Sequence, residues 1–327
     1  MGLRTKYMGL DLKNPIVVAS SGLANTVAKV KRIEEAGAGA VIMKSLFEEQ
    51  ILGEAKHLLG DGEAYPEAAD YIDTYVRENT VASYVDFIRE AKSAVSIPVI
   101  ASIGCVSSKE WLDFTKKLEI AGADAIELNM FYVPTLRNQT SEEIELRYIS
   151  LIREIKQVIS IPVAVKVGPY FTNLISFVEK LLANGADSVT MFNRFYEPDI
   201  NINTLKMIGA EVFSTPQDIR HSLRWIGLTS SALPQLEIAA STGIHDGEAA
   251  IKMILAGSQV VQVCSTVYIN GSQVIAGMLK DMEGFMKKWN FKRIDDFRGR
   301  LSYHGVDAHM YERSQFMRYF SNHPMNK

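Results

Sequence analysis

Residues 121–126 read Ala-Gly-Ala-Asp-Ala-Ile, and this pattern of a glycine followed by a short apolar run recurs along the chain. A glycine at this place ends a helix at low steric cost, because it takes the left-handed conformation that other residues avoid. The apolar run after it is typical of a buried strand. The repeat therefore predicts helix, turn and strand in regular succession. Its copies are residues 36–41, 121–126, 184–189 and 256–260.

A second kind of strand start is marked by proline. Pro15, Pro98 and Pro162 each open an apolar run, and proline is tolerated at a first strand position because it breaks no interior ladder bond. Strands that are apolar throughout are typical of a parallel sheet covered on both faces. The predicted strands are residues 15–20, 40–45, 98–103, 125–129, 162–167, 188–193, 236–241 and 260–265.

The strand count and the intervening helices together predict the fold. About eight strands alternating with helices in a chain of 327 residues indicate the α/β class and one closed (β/α)8 TIM barrel. Two helix starts carry the spacing of a capping box, Ser107 with Glu110 and Thr140 with Glu143. An open doubly wound sheet is the alternative, and the absence of a Gly-x-Gly-x-x-Gly turn after the first strand argues against it.

Two connections are too long to be simple loops. Residues 46–80 follow the second strand and residues 194–215 follow the sixth. Both excursions leave from the carboxyl ends of strands, where barrel active sites are built, so we expect lids or pocket walls. We expect residues 1–301 to form the barrel as a single unit, and residues 302–327 to form a tail packed on the barrel or at a dimer contact.

Composition narrows the class of protein. The net charge is −3 and the lysines and arginines are scattered, so we expect no nucleic-acid partner. No apolar run reaches the roughly 18 residues that a membrane span needs, so we expect no membrane partner. Two cysteines, Cys105 and Cys264, and an N-terminus without the apolar core of a signal peptide indicate a reduced, cytoplasmic protein. We predict no metal site and no iron–sulfur cluster in this chain.

The polar exceptions to the apolar strands stand at the strand ends. Because the carboxyl ends of barrel strands meet at one rim, these side chains should lie together and form a binding site. Lysine and asparagine donate hydrogen bonds to anionic oxygens, and a lysine beside a ring that gains electrons stabilises the developing negative charge. The strand-end residues are Lys44, Ser45, Asn129, Lys166, Asn193, Ser241 and Ser265.

Two turns near the end of the barrel are typical of a phosphate site. Residues 241–244, Ser-Thr-Gly-Ile, follow the seventh strand, and residues 264–266, Cys-Ser-Thr, follow the eighth. Barrels commonly hold a phosphate between these two loops through backbone N–H groups and hydroxyls. The residues alone therefore predict a phosphate-bearing ligand, with its remainder lying across the barrel mouth.

These segments together resemble the soluble class 1 dihydroorotate dehydrogenases, from about Leu3 to Leu301. The resemblance implies FMN in the barrel mouth, hydride transfer to the flavin, a role in pyrimidine biosynthesis and a homodimer. The carrying segments are residues 14–22, 43–45, 102–104, 127–129, 165–171, 193, 241–244 and 295–301. The residues that match the family's FMN-binding positions are Ala19, Ser20, Gly22, Lys44, Ser45, Asn129, Lys166, Asn193, Thr242, Gly243, Cys264 and Ser265.

The chain departs from the family where the substrate binds. After Asn129 the family has a longer loop with a cysteine base, whereas residues 130–134 here read Met-Phe-Tyr-Val-Pro. Tyr132 falls at the base position, and we predict Lys44 and Tyr132 as the catalytic residues. A tyrosine is a poorer base at neutral pH than a tuned cysteine, so Tyr132 would need strong activation. Arg194 replaces a family serine beside the substrate asparagine.

Three functions remain open from the sequence. The first is dihydroorotate oxidation, with Lys44, Asn129, Asn193 and Arg194 binding the substrate. The second is a flavin oxidoreductase for another small anionic substrate, which the rebuilt pocket favours because unpaired polar groups of a substrate cost binding energy. The third is a non-catalytic barrel that binds a phosphate-bearing ligand.

Overall fold

A computed structural model describes residues 2–47, 66–104, 109–194, 197–306 and 310–312, with the backbone alone for residues 66–77 and 109–110. Eight parallel strands hydrogen-bond in the closed order β3, β4, β6, β7, β8, β9, β12 and β13, and β13 returns to β3. The predicted (β/α)8 barrel is therefore confirmed. The strands are β1 Thr5–Tyr7, β2 Leu10–Leu12, β3 Ile16–Val18, β4 Ala40–Ile42, β5 Leu46–Phe47, β6 Val99–Gly104, β7 Ala125–Asn129, β8 Val163–Val167, β9 Ser188–Met191, β10 Pro198–Asn201, β11 Lys206–Gly209, β12 Glu237–Ser241 and β13 Val260–Val263.

Helices cover the outside of the barrel. The described α-helices are Val27–Glu35, Pro66–Ala94, Lys109–Ile120, Ser141–Val158, Leu174–Ala183, Ile219–Ala232, Gly247–Ala256, Ser265–Asn270 and Val274–Trp289. Short 3-10 turns lie at Gly22–Ala24, Pro216–Asp218, Ile294–Asp296 and Tyr303–Gly305. No helix among the described residues is both long enough and apolar enough to span a bilayer.

The local signals read from the sequence hold where the structure describes them. The glycines of the repeat, Gly37, Gly122, Gly185 and Gly257, have φ angles of 100°, 96°, 104° and 124°. The capping box at Thr140 is present: the Thr140 hydroxyl accepts from the N–H of Glu143, and the Glu143 carboxylate accepts from the N–H of Thr140. Ser107 lies outside the described residues.

Observed strands match the predicted ones at their starts and are shorter at several ends. Strand β7 coincides with the prediction, whereas β4 ends at Ile42 rather than residue 45. Some residues beyond the strand ends still donate backbone hydrogen bonds to the neighbouring strand, as Asn193 does to Val167 at 2.9 Å and Met43 does to Ile100 at 2.9 Å. The sheet therefore still positions these residues at the rim.

The two faces of the barrel strands have different chemistry. Outward residues such as Val18, Ile126 and Val165 pack beneath the helices in one large apolar cluster. The interior at the amino ends of the strands is also apolar, and it is filled from below by Tyr7 of the β1–β2 hairpin, which is 1% exposed. Burial raises the pKa of the Tyr7 hydroxyl, which accepts a hydrogen bond from Ser188. The members of this inner cluster are Tyr7, Met8, Leu12, Val17, Ala40, Ile42, Ile100, Ala125, Ala164, Ala239 and Val260.

Both predicted excursions leave the carboxyl rim. The first begins with β5, which extends the sheet beside β6, and residues 48–65 of it lie outside the described part. The second contains the antiparallel hairpin of β10 and β11. This hairpin is not among the elements predicted from the sequence, although residues 199–203, Asp-Ile-Asn-Ile-Asn, alternate polar and apolar residues.

The turn before β4 provides a test of the barrel packing. Gly39 is buried, and a Cβ atom there would overlap the backbone carbonyl of Asn14. We expect Gly39→Ala to lower the free energy of unfolding by about 1–3 kcal/mol, the usual cost of overpacking, as measured by urea denaturation. Gly277→Ala is the control, because this helical glycine has open space around its Cβ position and should gain about 0.5–1 kcal/mol. Equal changes in the free energy of unfolding for the two variants would contradict the close packing of Gly39 against Asn14.

Candidate active site

A polar layer lies inside the barrel above the apolar floor. Lys166 of β8 stands in register with Asn129 of β7 and with Thr190 of β9. Glu127 lies two residues before Asn129 and therefore shares its inward face. Gln262 of β13 completes the layer from the opposite side of the barrel.

Four side chains of this layer form one connected network. The Lys166 ammonium, 7% exposed, donates to Gln262 Oε1 at 3.3 Å and lies 3.9 Å from Glu127 Oε1. The Gln262 amide donates to Glu127 Oε2 at 2.6 Å, and the Thr190 hydroxyl donates to the same oxygen at 2.9 Å. The buried lysine thus has both an acceptor and a counter-charge.

Sequence reasoning found Lys166 but missed the rest of this network. Glu127, Thr190 and Gln262 stand inside strands that otherwise read as apolar. The available signal was their period: Glu127 and Gln262 lie two residues before the rim positions Asn129 and Cys264, and a spacing of two keeps a side chain on the same face.

A second chain of hydrogen bonds runs along the rim. The Ser45 hydroxyl lies 2.8 Å from the Ser20 hydroxyl and 2.6 Å from that of Ser102. The Asn129 amide donates to Ser45 at 3.4 Å, and the Asn193 amide donates to Asn129. The structure therefore brings together four predicted residues from separate strand ends and adds Ser102, which is fully buried.

A cavity of about 200 Å³ opens at this rim. Ten of the residues that line it were predicted from the sequence, and Lys166 lies among them. The lining residues are Ala19, Ser20, Lys166, Asn193, Arg194, Val212, Ser214, Ser241, Thr242, Gly243, Ile244, Gln262, Cys264 and Ser265.

The turn after β12 brings backbone to the cavity. Thr242 and Gly243 both have left-handed backbones, with φ of 78° and 79°. A Cβ atom on Gly243 would overlap the backbone nitrogen of Ile219, so only glycine fits. The Thr242 hydroxyl donates to the carbonyl of Phe192 at 3.1 Å. This arrangement fixes the predicted phosphate turn against the loop of the sixth barrel strand.

The turn after β13 contributes Cys264 and Ser265. Burial raises the pKa of the Cys264 thiol, so it stays neutral and contributes packing rather than charge. Ser265 accepts a hydrogen bond from the N–H of Ser214 at 2.9 Å. This bond ties the end of the second excursion to the barrel.

The second excursion forms a wall of the cavity. Arg194 donates to the carbonyl of Val212 at 2.6 Å and lies 3.8 Å from Asp218. The Ser214 hydroxyl lies 3.0 Å from the His245 ring. These contacts hold Val212 and Ser214 in the cavity lining, so this excursion serves as a pocket wall.

Lys44 and Gly22 lie on the rim but outside the cavity lining. Lys44 is exposed, and its N–H donates to the carbonyl of Ala24 at 3.2 Å. Gly22 opens a short turn beside the Tyr268 hydroxyl. An exposed lysine between Met43 and Ser45 can reach a ligand only from the open side of the barrel mouth.

Tyr132 lies in a different cavity from Lys166. Its hydroxyl donates to Gln139 Oε1 at 2.5 Å, and its ring faces the Arg147 guanidinium at 5.0 Å. Its N–H donates to the hydroxyl of Tyr148, whose pKa burial raises to about 12. The Gln139 amide accepts this hydrogen bond but does not take the proton from Tyr132, so it does not convert Tyr132 into a base. The assignment of Tyr132 as the catalytic base therefore stays a prediction.

This second cavity measures about 510 Å³ and is mainly apolar. It lies between the loop after β7 and the loop after β8. Cys105, one of the two cysteines of the chain, lies outside the described residues. The lining residues are Phe131, Tyr132, Val133, Pro134, Ser141, Ile144, Glu145, Tyr148, Gly168, Tyr170, Phe171, Thr172, Glu197 and Pro198.

Comparison with known proteins gives a family for this geometry. The family model for dihydroorotate dehydrogenase matches residues 2–286. The catalytic subunit of dihydroorotate dehydrogenase B (NAD(+)) from Methanocaldococcus jannaschii is 26% identical over 300 residues, which cover 88% of this chain and 94% of that protein. The subunit of the same name from Thermoplasma volcanium is also 26% identical, over 318 residues covering 91% and 97%.

A third relative bears the same name in Alkaliphilus metalliredigens and is 23% identical over 305 residues, which cover 92% of this chain and 99% of that protein. Each of these matches covers most of this chain and most of the relative. With a family match over most of its length and a closed barrel whose polar residues gather at the carboxyl rim, the chain belongs to the dihydroorotate dehydrogenase family of oxidoreductases.

Proposed function

We propose that this chain is a cytoplasmic FMN-dependent dehydrogenase that oxidises the CH–CH bond of dihydroorotate in pyrimidine biosynthesis. The observation that carries the proposal is Lys166, a buried ammonium at the floor of a cavity in the barrel mouth. A flavin ring that gains electrons is stabilised by a positive charge beside it, and the Lys166 ammonium supplies such a charge at the cavity.

The residues of the cavity fit FMN. Among the described side chains, Lys166 has one hydrogen-bond partner, Gln262, for its three N–H donors. The other N–H groups of Lys166 can therefore donate to the electron-rich edge of a flavin ring in the cavity. The strained Thr242–Gly243 turn and the Ser265 hydroxyl supply the polar surroundings that a phosphate needs.

The reaction divides the two hydrogens of the substrate. When bound, FMN would supply the acceptor for one of them as a hydride, while the other would leave as a proton and a carbon–carbon double bond would form. The Asn129–Asn193 pair presents amide groups to the substrate from two strand ends. The Lys44 ammonium and the Arg194 guanidinium supply positive charge for a carboxylate. Tyr132 is the proposed base, and it would accept the substrate proton as its phenolate, after its own hydroxyl proton has passed to solvent.

A related acid is the second candidate substrate. The Tyr132 hydroxyl is bonded to Gln139 and faces the larger cavity, so the base side of the pocket differs from the family pattern. A small anionic substrate whose reacting bond lies elsewhere than in dihydroorotate would suit this pocket.

We propose a homodimer that uses the β10–β11 hairpin. Its apolar side chains are open to solvent: Ile202 is 79% exposed, Leu205 86% and Met207 65%. A two-stranded hairpin is marginally stable by itself, and an apolar patch of this kind marks an interaction surface. A second copy of the chain would cover it, as the family resemblance implies.

The first experiment is anaerobic mixing of the purified protein with dihydroorotate while the visible absorbance of the flavin is followed. We expect bleaching in the wild type, and Lys44→Ala should slow it about 100-fold or more because the substrate loses its rim charge. Lys280→Ala, an exposed lysine on the outer helix Val274–Trp289, is the control. A yellow protein that dihydroorotate does not bleach would move the substrate to another acid. A colourless protein that takes up no FMN would contradict the proposal.

The base assignment needs its own variant. Tyr132→Phe removes the hydroxyl and should slow flavin reduction at least about 100-fold, the usual lower range for losing a general base. Tyr170→Phe is the matched control, since Tyr170 lines the same cavity. Both are measured by stopped-flow absorbance. Unchanged reduction in Tyr132→Phe would mean that the proton leaves by another route.

The dimer surface is tested by a charge on the hairpin. We expect Leu205→Glu to convert a dimer into a monomer in analytical ultracentrifugation, because a buried unpaired carboxylate opposes association. Ile120→Glu is the control, since Ile120 is 72% exposed at the end of the helix Lys109–Ile120. A wild-type protein that sediments as a monomer would remove the hairpin from this role.

A further inference from the structure

Glu127 is a buried acid that lies outside the lining of the cavity. It is 1% exposed, and its Oε2 atom accepts from both Thr190 and Gln262. Its Oε1 atom has no hydrogen-bond partner among the described residues and lies 3.9 Å from the Lys166 ammonium. Its neighbours among the described residues are therefore two hydrogen-bond donors and the Lys166 ammonium.

The Gln262 amide bridges Glu127 and Lys166, and its nitrogen and oxygen face different partners. Gln262 donates to Glu127 through its amide nitrogen and accepts from Lys166 through its amide oxygen. Lys166 and Gln262 line the cavity, whereas Glu127 does not. The positive end of the network therefore faces the cavity, and the negative end lies deeper in the barrel.

Tyr7, a titratable group beside Glu127, supports this orientation. The Tyr7 hydroxyl lies below the network, bonded to Ser188, and burial together with the Glu127 carboxylate raises its pKa. Tyr7 therefore stays neutral and supplies no second charge. Within the described part of the barrel interior, the charge at the cavity floor depends on Lys166 and its distance from Glu127.

We infer that Glu127 is a positioning residue that sets the redox balance of the bound flavin by offsetting the charge of Lys166. This inference rests on the proposed function. A reduced flavin carries more negative charge at the edge that a lysine contacts, so the ammonium favours it and the carboxylate opposes it. Because Lys166 lines the cavity and Glu127 does not, the ammonium would act from the shorter distance and the carboxylate would moderate its effect.

The direction in which the ratio of reduced to oxidised flavin changes distinguishes this role of Glu127 from simple support of the fold. Glu127→Gln keeps the shape and both Oε2 contacts can be remade, but the offsetting charge is gone. The ratio of reduced to oxidised flavin at a fixed potential should rise about tenfold, in the range that one partly screened charge supplies. Lys166→Met should change the same ratio in the opposite direction.

The ratio is measured by anaerobic equilibrium between the flavin-loaded protein and a reference redox dye, without substrate. Thr190→Val is the matched control, because it removes one hydrogen bond to Glu127 and leaves the charge. It should change the ratio less than about twofold, whereas a merely structural role of Glu127 predicts similar behaviour of the two variants.

A conservative variant covers the case in which Glu127→Gln does not fold. Glu127→Asp keeps the carboxylate and withdraws it by one methylene from Lys166, so the ratio should rise by a smaller factor. An unchanged or lowered ratio in the folded variant would overturn the inference. Wild-type protein that binds no FMN would instead overturn the proposed function, and the two failures are therefore distinguishable.

Discussion

The closed barrel forces every second strand residue into an interior that must be filled, and the rest of the structure follows from how this chain fills it. The lower half takes small aliphatic side chains and the Tyr7 ring. The upper half takes Glu127, Lys166, Thr190 and Gln262. An apolar floor below a polar layer gives the barrel one reactive end.

Burial of the two charges in that layer costs hydration free energy. Two ions inside a protein lose hydration that their attraction only partly restores, so the Glu127–Lys166 pair is weak evidence for stability. Their hydrogen bonds to Gln262 and Thr190 leave one oxygen of Glu127 without a partner among the described residues. A polar layer of this kind is better explained by the ligand proposed for the cavity than by the stability of the fold.

The retained and rebuilt parts of the site lie on different sides of the barrel mouth. The cavity with Lys166 is formed by strand ends and by turns whose backbone admits only particular residues, as at Gly243. The loop after β7, with Tyr132, is formed by side chains packed around an aromatic cavity. Backbone-limited positions tolerate few substitutions, whereas a loop can be rebuilt without disturbing the barrel. Under the proposed function, the backbone-limited cavity would be the cofactor side, and the loop with Tyr132 would be the side that differs from the family resemblance.

By itself, the sequence determined the barrel, the helix stops at glycines such as Gly122, and the rim residues Lys166, Asn129 and Asn193. These features depend on local conformation and on periodicity, which are readable along the chain. Only the tertiary structure decided that Glu127, Gln262 and Ser102 join the site, that Tyr132 faces a separate cavity, and that residues 198–209 form an exposed hairpin. The reason is that each of these depends on contacts between residues far apart in the chain, and closure of the barrel sets which strands face one another.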